Sequence, residues 1–175
     1  LLVAEQTRLS DLATIFAERP TLRRLVQTDA WAELQPFLEA FQAQSKVDLL
    51  LFCNPGGERV AGSPVLARCP AINTPQFVLI TGQPALVVSQ PVHSTTSSAP
   101  LGIALAGIWL DQHFLEQLAV STGAEQSIFT TDGQRLASSI TGVEATLRAL
   151  TPQPTITIPT LAGQPYYAAH VTLYN

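Results

Sequence analysis

The residues able to do chemistry are few and scattered. Three histidines are present, His93, His113 and His170, far apart along the chain. A metal site needs ligands clustered as in HExxH or paired CxxC, and neither pattern occurs. A nucleophile triad needs Ser, His and Asp in mutual reach, usually with the Ser in a GxSxG elbow, and no such elbow exists. Phosphate-cradling loops of the GxxxxGK or GxGxxG type are also missing. No catalytic residue, metal ligand or cofactor is therefore expected, and this stretch of chain is not expected to be an enzyme. A ligand site is the remaining chemistry, since such pockets are mostly apolar with a few polar groups. Arg68 carries the planar fork that clamps a carboxylate. Ser89, Gln90 and His93 follow on the next strand and complete the candidate set. The competing reading of Arg68 is a solvated loop arginine. Tyr166 and Tyr167 offer a pocket wall further on, although one of any adjacent strand pair faces the core.

Cys53 and Cys69 admit two readings. A bridge between them closes a short loop and requires an oxidising compartment. Otherwise they are two independent buried thiols.

Composition narrows the class. The chain has 175 residues, 46% hydrophobic and 13% charged, against about 25% charged for an average soluble domain. That is enough for one domain with a real core, or two small lobes. The net charge is -4 and Lys46 is the only lysine. Clustered Lys and Arg are what displace counterions from a nucleic acid backbone, so that partner is not expected. No uninterrupted apolar run is long enough to span a bilayer, and Leu1 opens no signal-peptide pattern. The chain contains no methionine, which predicts a piece cut from something longer.

The elements that must position these residues follow from periodicity. Leu1 to Arg19 reads as a helix whose Leu2, Leu9, Leu12 and Phe16 form a narrow seam of the coiled-coil type. Pro20 ends or kinks it, and Thr21 and then Thr28-Asp29 offer cap signals. Ala30 to Lys46 is a second helix with Trp31, Leu34, Phe37, Leu38 and Phe41 on its core face. Val47 to Cys53 is an almost wholly apolar strand, expected to be covered on both faces. Asn54-Pro55-Gly56-Gly57 turns it back into Glu58 to Gly62. A proline-rich loop, Ser63 to Pro75, leads to strands Gln76 to Thr81 and Ala85 to Val92 around Gly82-Gln83-Pro84. Ser94 to Pro100 is a polar loop. Leu101 to Leu110 is the longest apolar strand, and its small residues predict close approach by a helix or backbone. Asp111 caps a helix that Gly123 ends. Ser127 to Thr131 and Arg135 to Ser139 form a hairpin around Asp132-Gly133. A short helix, Val143 to Leu150, precedes strands Thr155 to Pro159 and Tyr166 to Leu173. Gly163-Gln164-Pro165 echoes Gly82-Gln83-Pro84, and the second unit is expected to lack its last strand. The fold class is α+β, divided as 1-46 helical region, 47-110 first lobe, and 111-175 connecting helix with a second, smaller lobe.

Two stretches carry a family resemblance that covers nearly the whole chain. LATIFAERPTLRRLVQTDAWAELQPFLEAFQAQSKVDLLLFCNPGGERVAGS gives a long helix, a P-x-L break, a second helix, a strand, a Gly turn and V-A-G-S. GIALAGIWLDQHFLEQLAVSTGAEQSIFTTDGQRLASS gives a closing strand, a connecting helix and an opening hairpin. Together they resemble the Cache superfamily, the PAS-like extracytoplasmic sensor domains of bacterial receptors. The resemblance implies a PAS-like antiparallel sheet behind a long N-terminal helix, located outside the cytoplasmic membrane. It implies flanking transmembrane helices and an output that is most often a histidine kinase, otherwise a chemoreceptor or cyclic-dinucleotide enzyme. It further implies an unknown small-molecule ligand, and a homodimer along the seam Leu2, Leu9, Leu12 and Phe16 that signals by helix displacement. The Arg, Trp-Tyr and Asp arrangement of the amine- and amino-acid-binding branch is not found here, so the resemblance assigns no ligand. Three rivals stand beside it: a non-signalling binding protein, an interaction module docking through a surface such as Ser94 to Pro100, and an enzyme with a His-centred site made by folding.

Overall fold

The computed structural model describes residues 2–94, 99–130, 134–140, 160–161 and 164–165. The Asp132-Gly133 turn, the helix at Val143, the strands at Thr155 and Tyr166, and His170 lie outside the described residues, as does most of the Ser94 to Pro100 loop. Two compact units divide the chain, Leu1–Trp109 and Leu110–Asn175.

The first unit opens with three helices: α1 (Leu2–Ala17), α2 (Pro20–Gln27) and α3 (Trp31–Ser45). Pro20 takes the first position of α2, where its missing donor costs nothing. The expected caps are not used. Arg19 and Ala30 occupy the N-cap positions of α2 and α3, and neither makes a side-chain cap bond. The Thr28 hydroxyl instead bonds back to the Arg24 carbonyl at 2.9 Å. Trp31 also departs from expectation, being 42% exposed. It opens α3 one turn ahead of Leu34, the first residue of that helix to be buried.

A five-stranded antiparallel sheet follows, with β1 (Leu49–Cys53), β2 (Arg59–Gly62), β3 (Gln76–Ile80), β4 (Gln83–His93) and β5 (Pro100–Trp109) in the spatial order β2-β1-β5-β4-β3. The hairpin between β3 and β4 turns on Thr81 and Gly82, both at positive φ, as a tight two-residue turn requires. Pro84 therefore lies inside β4 and not in the turn. It faces Leu79, and pairing of β4 with β5 begins only at Ala85, so no ladder bond needs its absent N–H. All five residues of β1 are buried, which matches its expected cover on both faces.

Strand alternation gives the sheet two distinct faces. Leu50 and Phe52 of β1, Leu86 and Val88 of β4, and Ala104 and Ala106 of β5 share one face by register. Helix α1 packs against β4 and β5. Its Leu9, Ala13 and Phe16 are completely buried, and the Phe16 ring lies 4.9 Å from that of Phe41 on α3. Of the four seam residues, Leu9 and Phe16 belong to the core of one chain, covered by the sheet and α3, while Leu2 and Leu12 are partly exposed. Gly102 is required for close packing: a Cβ there would sit 2.3 Å from the Cys53 carbonyl oxygen and 2.4 Å from the Phe52 ring.

The second unit contains α4 (Gln112–Thr122), the hairpin of β6 (Ser127–Phe129) with β7 (Arg135–Ser138), and the short pair β8 (Thr160–Leu161) with β9 (Gln164–Pro165). The Asp111 carboxylate accepts the Phe114 N–H at 2.9 Å, and Gly123 ends the helix at φ 69°, both as its sequence predicts.

Candidate functional site

The other face of the sheet carries Ser89, one of the four candidate ligand residues. Leu49, Leu51 and Cys53 of β1, Ile80 of β3, Ala85 and Val87 of β4, and Leu105 of β5 build it, with Cys69 and Ile72 laid on top. Leu66, Val78, Ile103 and Trp109 pack around this cluster. The covering strap is the loop between β2 and β3. Its first half runs beside β2, where the Arg59 N–H donates to the Ala67 carbonyl at 2.9 Å and the Cys69 N–H to the Gly57 carbonyl at 2.8 Å. Cys53 and Cys69 are joined by a disulfide, with their Cα atoms 6.0 Å apart, so the strap is covalently fixed to the central strands at Cys69.

Beyond Cys69 the strap is held by Ser89. This residue is 1% exposed. Its hydroxyl accepts the Ile72 N–H at 2.8 Å and donates to the Pro70 carbonyl at 2.9 Å, while its own N–H donates to the Ile72 carbonyl at 2.7 Å. A serine in the middle of an apolar strand thus satisfies the backbone of a buried strap segment, which would otherwise carry unpaired polar groups.

The four predicted ligand residues are not brought together. Ser89 is committed to the strap. Gln90 follows it on the same strand and so faces the helical side. His93 ends β4 beyond a register shift and is exposed. The Arg68 guanidinium is exposed as well, and its Nη2 donates to the Gly56 carbonyl at 2.8 Å, closing the turn after β1. Adjacent strand residues cannot converge on one ligand, and that alternation was available in the sequence. The residues missed by sequence reasoning are those of the strap, Pro70 and Ile72 above all. The signal that could have found them is the charge pattern: no Asp, Glu, Lys or Arg occurs between Arg68 and Asp111.

The second unit holds a separate open notch of about 440 Å³ lined by Glu116, Val120, Gly123, Ala124, Glu125 and Ser139, among others. The Ser139 hydroxyl is engaged by the Glu125 carboxylate. No group of three or more His, Cys, Asp or Glu among the described residues is arranged to hold a metal ion.

Comparison with known proteins places this architecture. The family model of the CHASE4 domain matches residues 1–128. The periplasmic domain of Vibrio cholerae LuxQ has a similar fold, at TM-score 0.62 and 14% identity, covering 92% of this chain and 88% of that one. The sensor domain of the V. cholerae histidine kinase DctB is similar at TM-score 0.60 and 12% identity, covering 79% of this chain and 61% of that one. The ligand-binding domain of the Campylobacter jejuni chemoreceptor Tlp3, in complex with 4-methylisoleucine, aligns at TM-score 0.50 and 13% identity, covering 82% and 66%. At such identities these likenesses show the fold. No curated protein matches the chain by sequence.

Proposed function

The chain belongs to the CHASE4 domain family and is an extracytoplasmic sensor domain of a signalling receptor; from that premise we propose that its stimulus is a small molecule received by the sheet beneath the strap and passed to α1. The observation that carries this reading is the sharing of β4 and β5 by two layers. Val87 and Ser89 meet the strap, while Leu86 and Val88 lie on the face that α1 packs against. A ligand that repacks one face shifts the strands on which the helix rests, and it biases the helix by its differential affinity for two packings.

In this reading residues 1-46 transmit, 47-110 receive and 111-175 form a second lobe. The parent is anchored in the membrane and its output is a histidine kinase, with a chemoreceptor or cyclic-dinucleotide enzyme as the alternative. The DctB and Tlp3 domains, from a kinase and a chemoreceptor, support both outputs by analogy of fold, and the bound 4-methylisoleucine of Tlp3 supports a small-molecule stimulus. The receptor works as a homodimer whose copies are brought together by the shared membrane, which raises their effective concentration. The outward side of α1 exposes Val3 and Ile15 together with the polar Thr7, Asp11 and Thr14.

A thermal-shift screen of the chain against carboxylates, amino acids, amines, purines, sugars and uncharged apolar compounds tests the proposal. A compound that raises the melting temperature supports it. A screen flat across every class would overturn the small-molecule reading. It would favour a domain read by a protein partner, which the filled sheet face also suits.

A further inference from the structure

Resting on that reading of the sheet and strap, we infer that the stimulus is an uncharged, predominantly apolar small molecule, admitted when the Pro70–Pro75 segment lifts off the sheet between its two anchors, the Cys53–Cys69 bridge and β3, with Ser89 as its latch. The chemistry of the lining decides the class. The buried side chains of this layer are apolar except that of Ser89, the glutamines that share the face by register, Gln76 and Gln83, are uncharged, and β3, β4 and β5 carry no Asp, Glu, Lys or Arg. An ammonium or carboxylate brought beneath the strap loses its hydration and finds no opposite charge to replace it. Arg68, the last charged residue before this uncharged stretch, is turned outward onto the Gly56 carbonyl. The Ser89 hydroxyl is bonded to Ile72 and Pro70 while the strap is closed; released on opening, it is neutral and can meet one uncharged polar group but cannot balance an ion. An apolar ligand, by contrast, takes over contacts that Ile72 now makes and leaves no polar group of its own unpaired.

The strap is tied at both ends, to β1 through Cys69 and to β4 through Gln76 of β3, and is lightly held between them. Up to Cys69 it is paired with the chain beside β2 and crosslinked to β1. From Pro70 to Ile72, the bonds that reach the sheet all end on Ser89. Prolines at 70 and 75 bracket this part and stiffen it, so that it moves as a piece. Opening separates Ile72 from the sheet and uncovers Val87 and Leu105.

Trp109 reports occupancy, because it packs against this cluster. In a Trp31→Phe variant it is the sole tryptophan, and its emission is followed during titration with indole-free neutral probes, toluene and 3-methylbutanol, and with leucine, succinate and putrescine as charged controls. The neutral probes should change Trp109 emission saturably and raise the melting temperature by about 5–10 °C at 100 times their dissociation constant. The charged compounds should do neither. Ser89→Ala gives a second reading. Removing the latch raises the population of the open state, so the neutral probe should bind several-fold more tightly while the free protein melts lower. Saturable binding of leucine, succinate or putrescine at Trp109 would overturn the ligand class while leaving the sensor reading intact. Absence of any saturable response to the neutral probes, with or without Ser89→Ala, would overturn the inference itself.

Discussion

Removing the Cys53–Cys69 bridge tests how the strap is held. The two residues are separated by 16 positions, and a loop of that length in the unfolded chain gives a chain-entropy contribution of about 3 kcal/mol at 25 °C. The Cys53→Ala/Cys69→Ala double variant should therefore lose about 3 kcal/mol, a fall of roughly 6–12 °C in melting temperature for a chain of this size. Circular dichroism melts of the variant, and of the parent chain with and without reductant, measure this. Hydrogen exchange then separates two origins of the loss. If the bridge acts on the unfolded chain, all core amides of the first unit exchange faster by the same factor, and the Ile72 amide stays protected by Ser89. Selective loss of protection at Ile72 and Ser89 would mean that Ser89 alone does not hold the strap. Coincident melts for the bridged and unbridged chains would refute the assignment of the bridge as a constraint at all.

Other expectations follow from single contacts. Leu9→Ala should cost about 2–5 kcal/mol through a cavity in the core, and its denaturation midpoint should not depend on protein concentration, as it would if Leu9 lay in a dimer seam. Gly102→Ala should cost about 1–3 kcal/mol by overpacking against Phe52 and the Cys53 carbonyl, measured by urea titration. Asp111→Ala removes the α4 cap and should cost about 0.5–2 kcal/mol, read by the same titration followed in the second unit. Arg68→Ala should stay within about 0.5 kcal/mol of the parent, as exposed substitutions do, and should leave any ligand response unchanged.

Local chemistry was legible wherever one residue controls one geometry. Asp111 and Gly123 bracket α4 as their types predict, and the apolar run at β1 announces burial on both sides. The sites that misled are those where the partner decides. A helical period at Leu9 and Phe16 says that a face is apolar, but not whether a sheet or a second helix covers it. Thr28 looked like a cap because of its hydroxyl, yet that hydroxyl turns back onto its own helix. The four residues proposed for a ligand were chosen by chemical type along the chain, whereas alternation along β4 separates Ser89 from Gln90. The structural use of Ser89 depends on a strap that crosses above it, and no local pattern encodes that crossing.

The order β2-β1-β5-β4-β3 carries a consequence for how the chain assembles. Its two hairpins, β1 with β2 and β3 with β4, form from neighbours in sequence. Each exposes one bare apolar edge until β5 arrives between them. The last strand of the unit is thus the keystone, and it brings with it the long-range contacts that fold slowly. During synthesis the first hairpin must wait from Gly62, and the second from His93, until Trp109 has emerged, at roughly 5–20 residues per second. Stalling or cleavage just before Pro100 would leave a pair of sticky half-sheets, the species most prone to pair with another unfinished copy.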